Sequence, residues 1–189
     1  RKTSRLLFGR TWIEPPGTLE TIMLQRNKSR VNVQIETQII TYNGEPLHII
    51  GIYDITNRKK IEEEIIKLSI ALDQSANEII ITHKNGEIEY VNRSFTNVTG
   101  YLPSEVIGRN PRILKSGTHS PSFYKNLWKT LLKGQKWEGE FHNRKKNGEL
   151  YWEQATITPI RNKESEILRY IAIKEDITLR KKAEQSLRE

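Results

Sequence analysis

The sequence predicts an α+β domain, its helices grouped on one face of a mixed sheet, preceded by a partial copy of the same unit and a connector helix. Three observations carry this reading. Alternating apolar and polar runs near 78–91 and 137–177 break at Asn-Gly pairs, the mark of strands and tight hairpins. Short capped helical segments lie between them. The junction "IIGIYDITNRKKIEEEI", starting at Ile49, returns as "YIAIKEDITLRKKAEQSL", starting at Tyr170.

Taken in chain order, residues 1–56 read as the C-terminal part of a first unit. "VNVQIETQIITYNGEPLHII" parallels "YWEQATITPIRNKESEILRYI", and each copy ends in Asp-Ile-Thr followed by a basic run opening a charged helix. Too little chain precedes Asp54 for the whole unit seen between 68 and 178. Strands without their partners fold poorly, so residues 1–55 are expected to lean on another surface or to be partly disordered. Residues 57–72 form a connector helix in which Ile61, Ile65, Leu68 and Leu72 recur at helical spacing. Two readings fit this seam: an amphipathic helix packed on its own domain, or a short parallel coiled coil between two chains.

The complete second unit occupies 68–178. Strands are expected near 78–83 and 87–91 around Asn85-Gly86, then short helices at 93–98 and 103–106 separated by the Gly100 turn. Ser120 followed by Pro121 is an N-cap with proline at the first helical position, and Phe123, Leu127 and Leu131 give the helix an apolar face until Gly134. Three strands close the unit, the first turning into the second at Asn147-Gly148. Residues 179–189 begin an outgoing helix. Short helices laid over one sheet face leave room for a cavity and a small ligand.

The chain has 189 residues, a net charge of +8 and no cysteine. Without a thiol there is no disulfide, thiolate metal site or sulfur nucleophile, and a reducing, cytoplasmic setting is favoured. The basic residues are scattered among 23 acidic ones, so a solvated surface is expected and no nucleic-acid site. No run approaches the roughly 20 apolar residues of a membrane helix, and no membrane contact is expected.

"EIEYVNRSFTNVTGYLPSEVIGRNPRILKSG", "WEGEFHNRKKNGELYWEQATITPI" and the closing Asp-Ile-Thr junction together resemble a PAS domain across nearly all of residues 68–182, and 1–56 resembles the last three strands of another. The resemblance implies a five-stranded antiparallel sheet with short helices on one face. It also implies a sensory and dimerising input module of a bacterial or archaeal signalling protein, its effector, such as a histidine kinase or diguanylate cyclase, lying elsewhere. "GRNPRILKSG" is similar to the flavin loop of LOV photoreceptors, with Pro111 where those carry the reactive cysteine. A chain without sulfhydryls cannot form the flavin adduct.

A bound FAD or FMN remains the cofactor the resemblance implies. Arg112 matches the arginine that meets the flavin phosphate, Asn110 lies in the same loop, and Asn143 matches the first of two asparagines on the isoalloxazine edge. Glu153 stands where the second would be, and Lys115 and Lys174 replace glutamines. Trp137 with Gly139, followed by Asn143-Arg144-Lys145, also resembles the redox-sensing FAD-binding PAS domains of nitrogen-fixation regulators. On that likeness a flavin would sit against Trp137 and Asn143. The bland reading gives Asn143 to a cross-strand pair, Trp137 to the core and Arg112 to a surface ion pair.

Haem is disfavoured, because the helix that would supply its histidine, 120–133, has none. His119 reads as a polar loop residue, and His48, His83 and His142 as strand residues facing solvent. No nucleophile elbow, phosphate-binding loop or His-Glu-x-x-His helix occurs, so no enzyme activity is expected within these residues. Glu138 and Glu140 read as an exposed strand pair. By resemblance, Asn92 ties a strand end to the next helix, and Asp176 and Thr178 couple the sheet to the outgoing helix as signal-relay residues. The expected function is a sensory input module that relays ligand or redox state as a conformational change. The alternative is a ligand-free dimerisation and spacer module. A homodimer through the connector helices suits both.

Overall fold

The computed structural model describes the main chain of residues 6–8 and 11–13 and, in full, residues 16–187, which divide into two compact units, 1–68 and 69–189. In the first unit β1 (Leu6–Phe8) and β2 (Thr11–Ile13) pair, and β3 (Gly17–Leu24), β4 (Arg30–Tyr42) and β5 (Glu45–Asp54) form an antiparallel meander in that order. Asn43 and Gly44, both at positive φ, make the two-residue turn that the Asn-Gly pair dictates. Val33 and Ile35 are buried, whereas Ile39, Ile50 and Ile52 on the same face stay exposed. Part of the expectation of disorder for 1–55 falls outside the described residues; from Gly17 to Asp54 the chain is a continuous sheet.

Helix α1 (Thr56–Asp73) follows directly and buries none of its residues. Ile61, Ile65 and Leu68 are 59%, 59% and 60% exposed. Leu72, the fourth residue of the seam, is 38% exposed.

The second unit runs β6 (Glu78–His83), β7 (Ile88–Val91), α2 (Arg93–Thr99), α3 (Pro103–Val106), a 3₁₀ turn (Pro111–Leu114), α4 (Pro121–Leu132), β8 (Trp137–Arg144), β9 (Leu150–Arg161), β10 (Ile167–Asp176) and α5 (Thr178–Ser186). The strand order is β7-β6-β10-β9-β8. Every pairing is antiparallel, so the sheet is not mixed: β6 lies against β10, its partner from the far end of the chain, in the same sense as the hairpins. The 3₁₀ turn has no apolar period and was not expected. Proline at its first position and the Asn110 side chain, which accepts from the Arg112 N–H at 3.1 Å, make it.

Two apolar clusters form rather than one. Phe95, Val106 and Leu114 from the first short elements pack on Ile80, Ile88 and Ala172, while Leu127 and Leu131 of α4 pack on Trp137, Phe141, Ala155 and Tyr170. One longer helix and three segments of one or two turns do not cover the sheet continuously, and a space is left where the clusters meet.

Asn92 fixes the roof to the sheet. Its Oδ1 accepts from the N–H groups of Ile79 and Phe95, at 2.9 and 3.1 Å, and its Nδ2 donates to Leu72 and Asn77 carbonyls at 3.0 and 2.9 Å. The side chain is buried, so removing it strands several main-chain groups, each costing about 1–3 kcal/mol. Asn92→Ala should lower the unfolding free energy of this unit by at least about 3 kcal/mol in urea titration. A loss below about 1 kcal/mol would show that water replaces the amide.

Candidate functional site

The space between the clusters is a cavity of about 380 Å³. Leu127, Leu131, Phe141, Ile157 and Tyr170 give it apolar and aromatic walls, and Arg112, Lys115, Asn143 and Lys174 bring polar groups to it. No lining residue is acidic. Arg112 and Lys115 are exposed at its rim, and the Lys115 ammonium lies 3.5 Å from the Tyr124 ring centroid. Pro111 lines the wall as well.

Asn110 lines the cavity too, but its amide is committed. Besides capping the 3₁₀ turn, its Nδ2 donates to the Gly86 carbonyl at 3.0 Å, tying the loop to the β6–β7 turn. A Cβ at Gly86 would come within 2.8 Å of that Nδ2, and φ there is +83°. Only glycine allows the two loops to close.

At the cavity's polar end, Asn143 Nδ2 donates to Glu153 Oε1 at 2.9 Å, and the Lys174 ammonium donates to the same oxygen. Glu153 is fully buried and absent from the lining: its carboxylate sits behind Asn143 and Lys174, which face the cavity. Glu153 thus supports the two side chains that face the cavity, with the nearest cation as its partner.

Trp137 also lies outside the lining. Its indole packs 5.6 Å from Phe123 and 5.1 Å from Phe141, and a Cβ at Gly139 would meet it at 2.6 Å. The Trp-x-Gly pair is thus a packing device: two residues on one strand share a face, and the glycine makes the slot. His142 does not face open solvent: its ring stacks on Trp152 at 4.4 Å, and its main-chain N–H donates to Nε2 of His119 at 2.8 Å. His119 stacks on Phe123 at 4.1 Å, and burial lowers its pKa. Among the described residues no group of three or more His, Cys, Asp or Glu is placed to hold a metal ion.

Two further groups were missed. Glu78, 1% exposed, is the cross-strand neighbour of Lys174, yet neither of its oxygens has a protein partner. Burial, reinforced by the Glu153 charge, pushes its pKa up to about 9. Tyr151 is also buried, its hydroxyl unpartnered and its pKa raised by burial and by Glu153. The alternation of Glu78, Ile80 and Thr82 was the available signal, since it places the glutamate on the face toward the roof.

The helix junction lies on the same strand. Asp176 Oδ1 accepts from Thr178 N–H at 2.9 Å, Thr178 Oγ1 accepts from Trp152 N–H at 2.9 Å, and Ile177 N–H donates to Trp152 O at 2.9 Å. The first junction repeats each bond. Asp54 accepts from Thr56 N–H at 2.8 Å, Thr56 Oγ1 from Asn32 N–H at 3.1 Å, and Asn32 O from Ile55 N–H at 2.9 Å. Asp54 and Asp176 are 122 positions apart, Asn32 and Trp152 only 120. The difference lies in the hairpin far from the junction, where Asn43-Gly44 is replaced by a longer loop between Arg161 and Ile167.

The PAS domain family model matches residues 77–179. A nitrogen fixation regulatory protein of Klebsiella oxytoca is 34% identical over 117 residues, covering 62% of this chain and 24% of that protein. Phototropin-1A of Oryza sativa subsp. japonica is 30% identical over 119 residues, 63% of this chain and 13% of its own length. The aerotaxis receptor of Escherichia coli K12 is 32% identical over 87 residues, 46% and 17% respectively. The chain therefore spans a quarter or less of these relatives. Among solved structures, an RNA-binding Light-Oxygen-Voltage receptor aligns over 91% of this chain and 81% of its own with a TM-score of 0.60 at 13% identity. The LOV domain of the Erythrobacter litoralis EL346 blue-light activated histidine kinase aligns over 56% and 99% with a TM-score of 0.52 at 25% identity.

Two substitutions test the buried network. A glutamic acid whose pKa rises from 4.5 unfolded to about 9 folded binds more protons in the folded state between those values, so its contribution is whole below pH 4.5 and is lost as pH rises toward 9. Glu78→Gln should flatten that fall, with a difference from the parent growing by as much as about 1.4 kcal/mol per pH unit. Equal pH dependence of thermal unfolding in both proteins would refute it. Lys174→Met leaves Glu153 buried without its cation and should cost about 3–5 kcal/mol, much of it recovered when Glu153→Leu is added. Additive losses in the double-mutant cycle would show that the two do not interact.

Proposed function

We propose, from the premise that this chain belongs to the PAS domain family, that its second unit is a sensory input module whose cavity reads a small ligand and whose outgoing helix carries the result. The observation behind this is the double use of β9. At residue 153 its side chain holds Asn143 and Lys174 at the cavity's polar end, and at residue 152 its main chain holds the first turn of α5. A ligand that favours one arrangement of Asn143 and Lys174 shifts the population of β9, and with it the helix start. Residues 1–56 are the C-terminal part of a first such domain, α1 is the connector, and an effector of the same cytoplasmic protein receives the signal.

The ligand class follows from the walls. Apolar and aromatic side chains, two rim cations and no lining carboxylate suit a planar ring with an anionic tail, and the volume lies near the low end of ligand cavities, about 300–1,000 Å³. FMN or FAD has this chemistry: Asn143 and Lys174 would meet the ring edge and Arg112 the phosphate. When bound, a flavin supplies a ring whose edge atoms change hydrogen-bonding role on reduction. The exposed seam of Ile61, Ile65 and Leu68 favours a second role for the same chain, homodimerisation through α1.

The direct test is titration of the 189-residue protein with FMN and with FAD. Saturable binding with an altered flavin spectrum is expected, and Arg112→Ala should weaken it about tenfold or more, the loss of one charge-assisted contact. Failure of folded protein to take up either flavin would overturn the flavin assignment. A monomer in sedimentation at every concentration would overturn the α1 dimer.

A further inference from the structure

Outside the cavity, one arrangement occurs twice in the chain and neither the ligand reading nor the Asp-Ile-Thr turn accounts for it. On β8, Glu140 faces the first turn of α5: its Oε2 lies 2.7 Å from the Lys181 ammonium and its Oε1 3.9 Å from the Arg180 guanidinium. On β3, Glu20 stands in the same relation to α1, with the Lys59 ammonium 2.5 Å away and Arg58 also bonded to it. The registers agree. Glu20 is the cross-strand partner of Gln34, two residues beyond Asn32, and Glu140 that of Gln154, two residues beyond Trp152. In each helix the arginine has a second acidic neighbour four residues on, Glu62 at 3.5 Å and Glu184 at 3.9 Å. Next to the clamp, Lys181 also lies 5.5 Å from the Trp152 ring centroid.

We infer that Glu140 and Glu20 are positioning residues of the helix junctions: each clamps the basic opening of the outgoing helix to the outer face of its sheet. The Asp-Ile-Thr turn fixes where the helix begins; the carboxylate one strand away sets the direction in which it leaves. A turn closed by main-chain bonds is a pivot, whereas ion pairs between partly exposed side chains are weak and salt-sensitive and can be made or broken by a small bias. Such a contact has two discrete states, which is what relay to an effector requires. The inference rests on the relay reading of the junction, but it assigns the moving contact to residues the turn does not contain.

Millisecond hydrogen exchange on the 189-residue protein separates the two. Glu140→Lys should raise exchange of the amides in the first turns of α5 about two- to fivefold, the scale of exposed ion pairs, while β9 and β10 keep their protection. Reversing the partners as well, with Arg180→Glu and Lys181→Glu, should restore it, and Glu20→Lys should act on α1 alone. The clamp is overturned if Asp176→Ala frees α5 while Glu140→Lys does not. It is equally overturned if Glu140→Lys loosens β9 as much as α5 and the charge swap fails to rescue. If neither Asp176→Ala nor Glu140→Lys changes α5, the relay reading falls together with the clamp.

Discussion

A carboxylate without solvent contact is the constraint around which the second unit is arranged. Glu153, at zero exposure, has the Lys174 ammonium beside it from the neighbouring strand, while Asn143 shares the same oxygen from the other side. Three adjacent strands are thereby joined at one point by side chains as well as by their ladder. The pair also lies beside a second buried acid. Its own burial, reinforced by Glu153 and opposed by Lys174, keeps the proton on Glu78 well above the ordinary carboxylate range.

Because strand side chains alternate, the residues that serve the cavity and those that serve the helix junction interleave along β9 rather than occupying separate regions. Glu153 belongs to the inner face, and Trp152, stacked with His142 and lying beneath Lys181, to the outer. No long pathway is needed between ligand and output. Neighbouring residues of one strand respond to both, and a shift of that strand's main chain is felt on either side.

Much of this fold was legible in the sequence because it rests on local signals. Asn-Gly pairs placed the hairpins, Ser120-Pro121 placed the start of α4, and the repeated Asp-Ile-Thr placed both junctions. What was not legible shares a cause, since each feature depended on what a side chain meets across the sheet. Gly139 makes a slot for the Trp137 indole within the core. Lys174, 21 residues after Glu153, holds its carboxylate behind the cavity wall. Glu140 looked like a solvated strand residue because its partners come 40 positions further along. The 3₁₀ turn escaped because a proline and one asparagine amide, rather than an apolar period, make it.

The unequal hairpins of the two units show where length can be absorbed. Between β9 and β10 five residues, 162–166, stand where Asn43 and Gly44 join β4 to β5, and the register shifts between Ile167 and Arg169, yet every bond at the opposite end of those strands is reproduced. The irregularity beside the turn takes up the odd residue, so from Arg169 onward inward residues stay inward and the coupling end keeps its register. Length can therefore vary at the distal tip without disturbing the attachment of the helix. Without that bulge an odd insertion would turn the strand inside out.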